Sequence, residues 1–587
     1  MNNQMMSNRE IAATLDMLAS MMELAGENKY KTIAVANGAA RVAETNASIA
    51  RIAAEGGLQE LPGIGGKIAA KIEELLKTGR LKELEEYKKR FPSDLVFVQK
   101  MQGVGPKTAR KIWEALGISS LDEFEAAARR GDIAGLPGLG EKAQDNILKA
   151  IGRFKSRSAR VLLGEALPIA EEAVEILKGL PEARNVTYAG SVRRMKETVK
   201  DVDIIATATK PDVLTEAFSR QPMVAEVIGQ GPTKCSIRTH TGLQIDLRVV
   251  PHDLYGNLLQ HFTGSAAHNV ALRELAISKD LKVSEYGVEE TKTGKVHKCA
   301  TEAEVYALLG LDYIPPELRE NNGEIEAAAR HRLPRLIEPG DIRGDMHVHS
   351  DWSDGQASIA GMAAAARELG HKYIAMSDHT QSMGMVRGLT PKKLEQQLKE
   401  IEELNLEFDD FHIFTSVECD VKADATLDLS DDLLARLDFV TASVHSGFGQ
   451  GKKQIMKRIR AAMENPHVRA IGHPTGRLIN KREPYEVDID EIIELATRTG
   501  TALEINAHYS RLDLSDQNAR AAQDAGCWLV INSDAHSAGG LELGYGVATA
   551  RRGWVRRETV LNTRTTAQLM KLLRKPKAPP EKSGRAA

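Results

Sequence analysis

Gly190-Ser191-Val192-Arg193-Arg194, then Asp201-Val202-Asp203, then Leu243-Gln244-Ile245-Asp246-Leu247-Arg248 are the segments on which the reading of the chain turns. Side chains two apart on a strand share a face, so Asp201 and Asp203 point the same way. Residues 202–206 and 244–250 are rich in Val, Ile and Leu, as strands are. Val186-Thr187-Tyr188-Ala189 is a further strand candidate behind a helical stretch at 166–180. Alone, Asp201 and Asp203 also read as carboxylates at a strand end; Asp246 adds a third from a second strand. Three clustered carboxylates repel one another unless a counter-charge joins them, and two Mg²⁺ ions meet that need. Two such ions ~3.5–4 Å apart activate a hydroxyl and stabilise a leaving pyrophosphate. Ser191 and Arg194 then stand where the outer phosphates of a nucleotide would lie.

Upstream, the first ~155 residues read as short helices, with Ile11, Leu15, Leu18, Met21, Met22 and Leu24 on one stripe. A small pattern recurs three times. Leu61-Pro62-Gly63-Ile64-Gly65-Gly66-Lys67 returns as Met101-Gln102-Gly103-Val104-Gly105-Pro106-Lys107, and again as Leu136-Pro137-Gly138-Leu139-Gly140-Glu141-Lys142. Glycines permit a tight turn and let backbone N–H groups at the next helix approach an anion. Such contacts hold DNA phosphate without reading sequence. These look like helix-hairpin-helix elements; the third departs in having Gln144 where a small residue is expected.

Downstream, short apolar runs alternate with helical stretches: Tyr373-Ile374-Ala375-Met376, Phe439-Val440-Thr441-Ala442, Ala470-Ile471-Gly472, Ala502-Leu503-Glu504-Ile505 and Trp528-Leu529-Val530-Ile531. That alternation predicts a parallel α/β domain of barrel type. Around it lie His347-Val348-His349, Asp354, His379, Glu418, His445, His473, Asp534 and His536. Most follow an apolar run, where a βα barrel assembles its site. Imidazole mixed with carboxylate suits Zn²⁺ or Mn²⁺, and nine donors suffice for two or three ions. Such a site deprotonates water near neutral pH and supports displacement at phosphorus. Asp420 reads as an orienting partner and Cys419 as a small buried residue, while His412, His467 and His508 read as ordinary histidines.

Of 587 residues, 42% are hydrophobic and 27% charged, a mix that suits several globular domains. Lys and Arg number 78 against 81 Asp and Glu, which excludes a uniformly basic nucleic-acid binder but not local basic patches. A basic stretch from Arg551 to Lys575 reads either as a DNA contact or as solvated surface. No run of ~18 apolar residues occurs, so no membrane partner is expected. Cys235, Cys299, Cys419 and Cys527 are scattered, which fits a reducing cytoplasm.

Gly190-Ser191, Asp201-Val202-Asp203 and Asp246, with the glycine hairpins before them and Phe262-Thr263-Gly264-Ser265 and Asn269 after them, resemble the family X DNA polymerases. The histidine and carboxylate order resembles the polymerase-and-histidinol-phosphatase (PHP) domain that bacterial and archaeal members carry. The resemblance spans about residues 1–575. It implies a multidomain α + α/β chain: an N-terminal helical DNA-binding domain (1–88), fingers with helix-hairpin-helix elements (89–158), a nucleotidyltransferase palm with a mixed sheet (159–254) and a thumb (255–320). A linker (321–341), a distorted βα-barrel PHP domain (342–575) and a disordered tail (576–587) follow.

The resemblance further implies Asp201, Asp203 and Asp246 as catalytic ligands of Mg²⁺ or Mn²⁺, and Gly190, Ser191, Arg194, Phe262, Gly264, Ser265 and Asn269 as the nucleotide contacts. Gly63, Gly65, Lys67, Lys71, Gly103, Gly105, Lys107, Gly138 and Gly140 would contact DNA. His347, His349, Asp354, His379, Glu418, His445, His473, Asp534 and His536 would hold Mn²⁺ or Zn²⁺. Gapped or primer-template DNA and deoxynucleoside triphosphates are the implied partners; the oligomeric state is open, with a monomer favoured. The implied activities are gap-filling synthesis in base-excision repair and 3′→5′ exonuclease, with apurinic-site endonuclease and 3′-phosphatase in some members. His261 stands where the family commonly has Tyr. Lys71 matches the family's Schiff-base lysine, but a phosphate contact on a DNA-facing helix is the favoured reading.

Overall fold

The computed structural model describes residues 6, 8–44, 49–54, 56–61, 63–92, 95–99, 104–118, 120–141, 144–145, 147–149, 151, 160–382, 388–578 and 580. The chain divides into two compact units, Met1–Ala159 and Arg160–Ala587.

The first unit is helical. Its opening helix, Asn8–Ala25, buries the stripe Ile11, Leu15, Leu18, Met21, Met22 and Leu24. One apolar cluster runs from Ile11 to Ile151, so the two N-terminal segments expected from the sequence share a core. Helices Gly66–Thr78 and Pro106–Leu116 each follow a glycine turn and end on a left-handed glycine, Gly79 and Gly117. Glycine tolerates that conformation because it has no Cβ.

The second unit begins with a five-stranded sheet. In chain order its strands are β1 (Ala183–Tyr188), β2 (Asp201–Ala208), β3 (Val224–Gln230), β4 (Lys234–Thr239) and β5 (Gln244–Val249). In space they run β1-β2-β5-β4-β3, and only β2 and β5 are parallel neighbours. Val202, Ile204, Ile245, Leu247 and Val249 are buried on one face, where they join a core with Leu163, Ala166, Ala170 and Leu177 of helix Leu163–Lys178. The alternation leaves Asp201, Asp203, Gln244, Asp246 and Arg248 on the opposite face. This is the mixed palm sheet expected from the sequence.

A small antiparallel sheet follows, β6 (Leu281–Ser284), β7 (Gly287–Glu290) and β8 (Val296–His297). Its core extends past residue 320: Ile325, Ala328 and Leu336 pack with Val283, Val305 and Tyr306. The linker expected at 321–341 is therefore corrected. Helix Glu324–Ala329 lies inside this body, and Glu324 is fully buried against His268, with its Oε1 2.6 Å from Nδ1. The segment is charged in composition, but Ile325, Ala328, Leu336 and Ile337 are buried.

The last body is a barrel. Seven parallel strands, β9 (Gly344–Val348), β10 (Tyr373–Met376), β11 (His412–Asp420), β12 (Phe439–Ser443), β13 (Val468–Ile471), β14 (Ala502–Asn506) and β15 (Leu529–Asn532), follow one another in sequence order. The ring nearly closes where Val348, at the end of β9, bridges Ala535 beyond β15. The tail expected to be disordered from 576 is corrected at its start. Lys577 donates to the carbonyls of Met463 and Asn465, and the indole of Trp528 donates to the carbonyl of Ala578. Residues 581–587 lie outside the described residues.

Candidate active sites

The palm face carries the first site. Asp203 on β2 and Asp246 on β5 are register partners, and Asp201 stands opposite Gln244. Gln244 Nε2 donates to Asp246 Oδ2 at 3.2 Å. Burial, reinforced by Asp201 and Asp246, pushes the Asp203 carboxyl up to about 6, while Arg248 and Lys234 pull the other way. A carboxyl whose ionisation is opposed by two neighbouring carboxylates belongs to a donor set that a divalent cation would relieve.

Gly190 opens the turn beside Asp203 with φ +64°, and a Cβ there would lie 3.2 Å from Asp203 Oδ2. Only glycine allows both the conformation and the approach. Ser191 and Arg194 share this turn. Arg194 is largely buried; its Nε donates to Glu320 at 3.0 Å and its Nη1 to the Thr263 carbonyl. Phe262 lies under the Arg248 guanidinium, 4.6 Å from ring centre to Cζ. Gly264 has φ +67°, and Ser265 caps helix Ala266–Ile277 by accepting from the His268 N–H. The Asn269 amide is engaged on both sides, donating to the His261 carbonyl at 2.8 Å and accepting from Gln260 at 2.9 Å. His261 itself is half-buried and lines a cavity of about 280 Å³ with Arg273, Lys282 and Glu285.

The barrel carries the second site, and all nine residues singled out from the sequence meet there. Three groups of donors lie within 4.8 Å of one another: His349, Asp354, His379 and His536; His347, His349 and Asp534; and His379, Glu418 and His445. Among the described residues, no other group of three or more does so. Glu418 is the hub. Its oxygens lie 2.8 Å from His379 Nδ1, 3.1 Å from His445 Nε2, 3.0 Å from His473 Nε2 and 3.5 Å from His347 Nε2. Asp534 Oδ1 lies 3.0 Å from His349 Nε2, and Asp354 Oδ1 lies 3.3 Å from His536 Nε2.

The donors fit divalent metal. His347 Nε2, His379 Nδ1 and Glu418 Oε2 are buried without a hydrogen-bond partner, although His379 and Glu418 nearly touch. Groups this close that do not bond to one another point to a shared third partner. Burial would raise the Glu418 carboxyl, but His445, His347 and His379 outweigh it and hold it well below the usual range. His473 and Asp534 adopt left-handed backbone conformations, φ +29° and +57°, which non-glycine residues seldom take.

Behind the donors stands a layer that the sequence reading did not pick out. Glu504 Oε1 lies 2.7 Å from His347 Nδ1, and its Oε2 accepts from the His473 N–H at 2.7 Å. Asp345 accepts from the His347 N–H and from Ser533. Asn506 donates to Asp534 Oδ2 at 3.0 Å. The available signal was a glutamate inside the apolar run 502–505. Asp420 lies 3.4 Å from His445 Nδ1, the orienting position expected of it, and Cys419 is buried.

In the helical unit, the turn glycines Gly63, Gly65, Gly105, Gly138 and Gly140 are exposed, as are Lys67 and Lys107. The residues between the paired glycines of the first two turns, Ile64 and Val104, are buried. Gly63 and Gly138 share positive φ, +84° and +78°, while Gly65 and Gly105 share an extended N-cap, ψ 168° and 170°. Gly103 and Lys142 lie outside the described residues. Lys71 donates to Glu83, so its amine is engaged.

A carboxylate palm joined to a barrel lined with metal donors defines an enzyme built for metal-assisted chemistry at phosphorus, at two separate centres. Comparison with known proteins narrows this. The chain matches the DNA polymerase beta thumb over residues 258–320, a helix-hairpin-helix domain over 6–81, a SAM-like helix-hairpin-helix tandem over 95–153 and the PHP domain over 345–508. It is 39% identical to the DNA polymerase/3′-5′ exonuclease PolX of Bacillus subtilis (strain 168), over 97% of this chain and 100% of that protein. It is 26% identical to DNA polymerase lambda of Rattus norvegicus, over 44% of this chain and 48% of that one. It is also 32% identical to a probable phosphatase of Syntrophotalea carbinolica, over 28% of this chain and 64% of that one. The chain belongs to the family X DNA polymerases that carry a C-terminal PHP domain.

Proposed function

We propose that the chain is a DNA-directed DNA polymerase that fills short gaps in base-excision repair and trims 3′-ends with its barrel. The observation that carries this reading is the parallel register of Asp203 and Asp246, with Gly190 set against Asp203 Oδ2.

Asp201, Asp203 and Asp246 would hold Mg²⁺ or Mn²⁺, and such ions supply charge stabilisation at the attacking and leaving oxygens. The chain's own groups bind and orient. Gly190 and Ser191 offer the turn to the outer phosphates and Arg194 a guanidinium. The Phe262 to Ser265 segment bounds the sugar, and Asn269 faces the base. In the barrel the nine donors would hold two or three Mn²⁺ or Zn²⁺ ions, and Glu504 fixes the His347 ring. Hydrolysis of a 3′-terminal phosphodiester follows from that donor set; apurinic-site cleavage and 3′-phosphatase action are the same chemistry on related ends. The exposed glycine turns support phosphate contacts along gapped or primer-template DNA. No described helix is long and apolar enough to cross a membrane, and we place the enzyme in the cytoplasm with the DNA, as a monomer.

The test is a one-nucleotide-gapped duplex with a 5′-phosphate, deoxynucleotides and Mn²⁺, following the labelled upstream 3′-end. Templated addition of one nucleotide is expected, with shortening when nucleotides are omitted. Shortening alone, with nucleotides present, would overturn the polymerase assignment.

A further inference from the structure

The turn that bears Ser191 and Arg194 is held from the barrel. Helix Gly544–Arg552 ends in two arginines, where the negative end of a helix favours cations. The second, Arg552, reaches into the palm and is almost wholly buried. Its Nη1 donates to the Arg194 carbonyl at 2.7 Å and to Glu320 Oε1 at 3.2 Å, and its Nη2 donates to Asp516 Oδ2 at 2.7 Å. The same oxygen of Glu320 accepts from Arg194 Nε at 3.0 Å and lies 3.9 Å from Lys196 Nζ. One carboxylate oxygen therefore serves three cations. Against Glu320 and Asp516 the three leave one positive charge in excess, beside a turn that faces the catalytic carboxylates. Their neighbours do not absorb it, because Arg193 and Arg319 share a separate carboxylate, Glu302.

An arginine that gives up a buried carboxylate strands that carboxylate unless another cation remains on it. The Arg194 guanidinium is held by Nε on Glu320 and Nη1 on the Thr263 carbonyl, so turning it toward the outer phosphates releases Glu320. We propose that Arg552 is a positioning residue for nucleotidyl transfer: it keeps Glu320 paired when Arg194 leaves for the outer phosphates of the incoming deoxynucleoside triphosphate. Its bond to the Arg194 carbonyl fixes the backbone from which that side chain reaches. The nuclease barrel thereby forms part of the nucleotide site of the palm. The inference rests on the role given to Arg194 under the proposed function.

The experiment uses the full-length chain on a one-nucleotide gap. It measures kcat and KM for the nucleotide, affinity for the gapped duplex, and exonuclease activity on the same preparation. Arg552→Met leaves Arg194 as the main partner of Glu320, so KM for the nucleotide is expected to rise about tenfold or more. Duplex affinity and exonuclease are expected to stay within about twofold of wild type. Adding Glu320→Gln to that variant removes the carboxylate that detains Arg194, so KM is expected to fall back toward wild type. A purely structural role predicts that the double variant is worse than the single one. An unchanged KM in an active Arg552→Met enzyme, or a double variant no better than the single one, overturns the proposal. Should Arg552→Met lose exonuclease as well, Arg552→Lys decides, since one ammonium cannot span both acceptors. A raised KM with exonuclease intact then supports the proposal, and a wild-type KM overturns it. A wild-type chain that adds no nucleotide would instead overturn the palm assignment.

Discussion

Glu504 Oε1 sits 2.7 Å from His347 Nδ1, on the side of the ring away from Glu418, while His347 Nε2 has no hydrogen-bond partner. A carboxylate at one ring nitrogen fixes the tautomer in which the other carries a lone pair, and so decides which nitrogen is offered to a metal. Glu504→Gln should lower metal affinity of the barrel about 10- to 100-fold and exonuclease with it. Gap filling should not change. Metal titration of both proteins checks this; equal affinity would remove the orienting role.

The two centres should come apart by mutation. Asp203→Ala is expected to abolish nucleotide addition and leave end trimming, and His347→Ala to do the reverse. Chelation followed by add-back should restore each activity at its own metal concentration. A substitution of Asp203 or His347 that removes both activities from a folded protein would contradict two separate metal centres.

Asp203 has its carboxyl raised to about 6 by burial and by Asp201 and Asp246. A metal must displace that proton, so apparent Mg²⁺ affinity at the palm should weaken as pH falls through about 6 and level off above it. The dependence of nucleotide addition on Mg²⁺ at pH 5.5, 6.5 and 7.5 reads this out; a flat half-saturation value would count against it.

Gly190→Ala should cost polymerase activity at least about 100-fold, since the new Cβ meets Asp203 Oδ2 at 3.2 Å in a left-handed turn. Exonuclease on the same preparation serves as the control for folding. An alanine variant with near-normal gap filling would show that the close approach is dispensable.

Glu302 joins palm to thumb through Arg193 at 2.6 Å and the fully buried Arg319. Burial opposes its charge, yet Arg319 and Arg193 outweigh that and bring the carboxyl down to about 2. Against an unfolded value of ~4.3, this is worth about 3 kcal/mol of stability. The contribution is present above about pH 4.3 and is lost as pH falls toward 2. Glu302→Gln should therefore lower the Tm markedly at pH 7 and only about half as much near pH 3. An equal deficit at both values would mean that the ion pairs are not the cause.

Palm and barrel differ in how much of them could be read from the chain. The palm was legible because Asp201-Val202-Asp203 alternates and Gly190-Ser191 precedes it. Five barrel strands were legible because Tyr373–Met376 and its counterparts are short apolar runs. The longest barrel strand, His412–Asp420, is not such a run: Thr415, Ser416, Glu418 and Asp420 break it, although seven of its nine residues are buried. The polar groups of Thr415, Ser416 and Asp420 are satisfied by neighbours brought together only in the fold, such as Ser377, whose hydroxyl bonds to that of Ser416. Glu504 was hidden for the opposite reason, as one carboxylate in an apolar strand whose partner lies 157 residues away. Arg552 shares that cause, with its contact to Arg194 spanning 358 residues.

The barrel closes between its first strand and its last, and His349 meets Asp534 across 185 residues of chain. During synthesis, a nascent chain that has released His347, His349 and even Glu418 still lacks the carboxylate and imidazole that complete the ring. The metal-binding ring of the barrel is therefore completed only once its last strand has emerged, and any fragment that stops short of Asp534 lacks the carboxylate that meets His349.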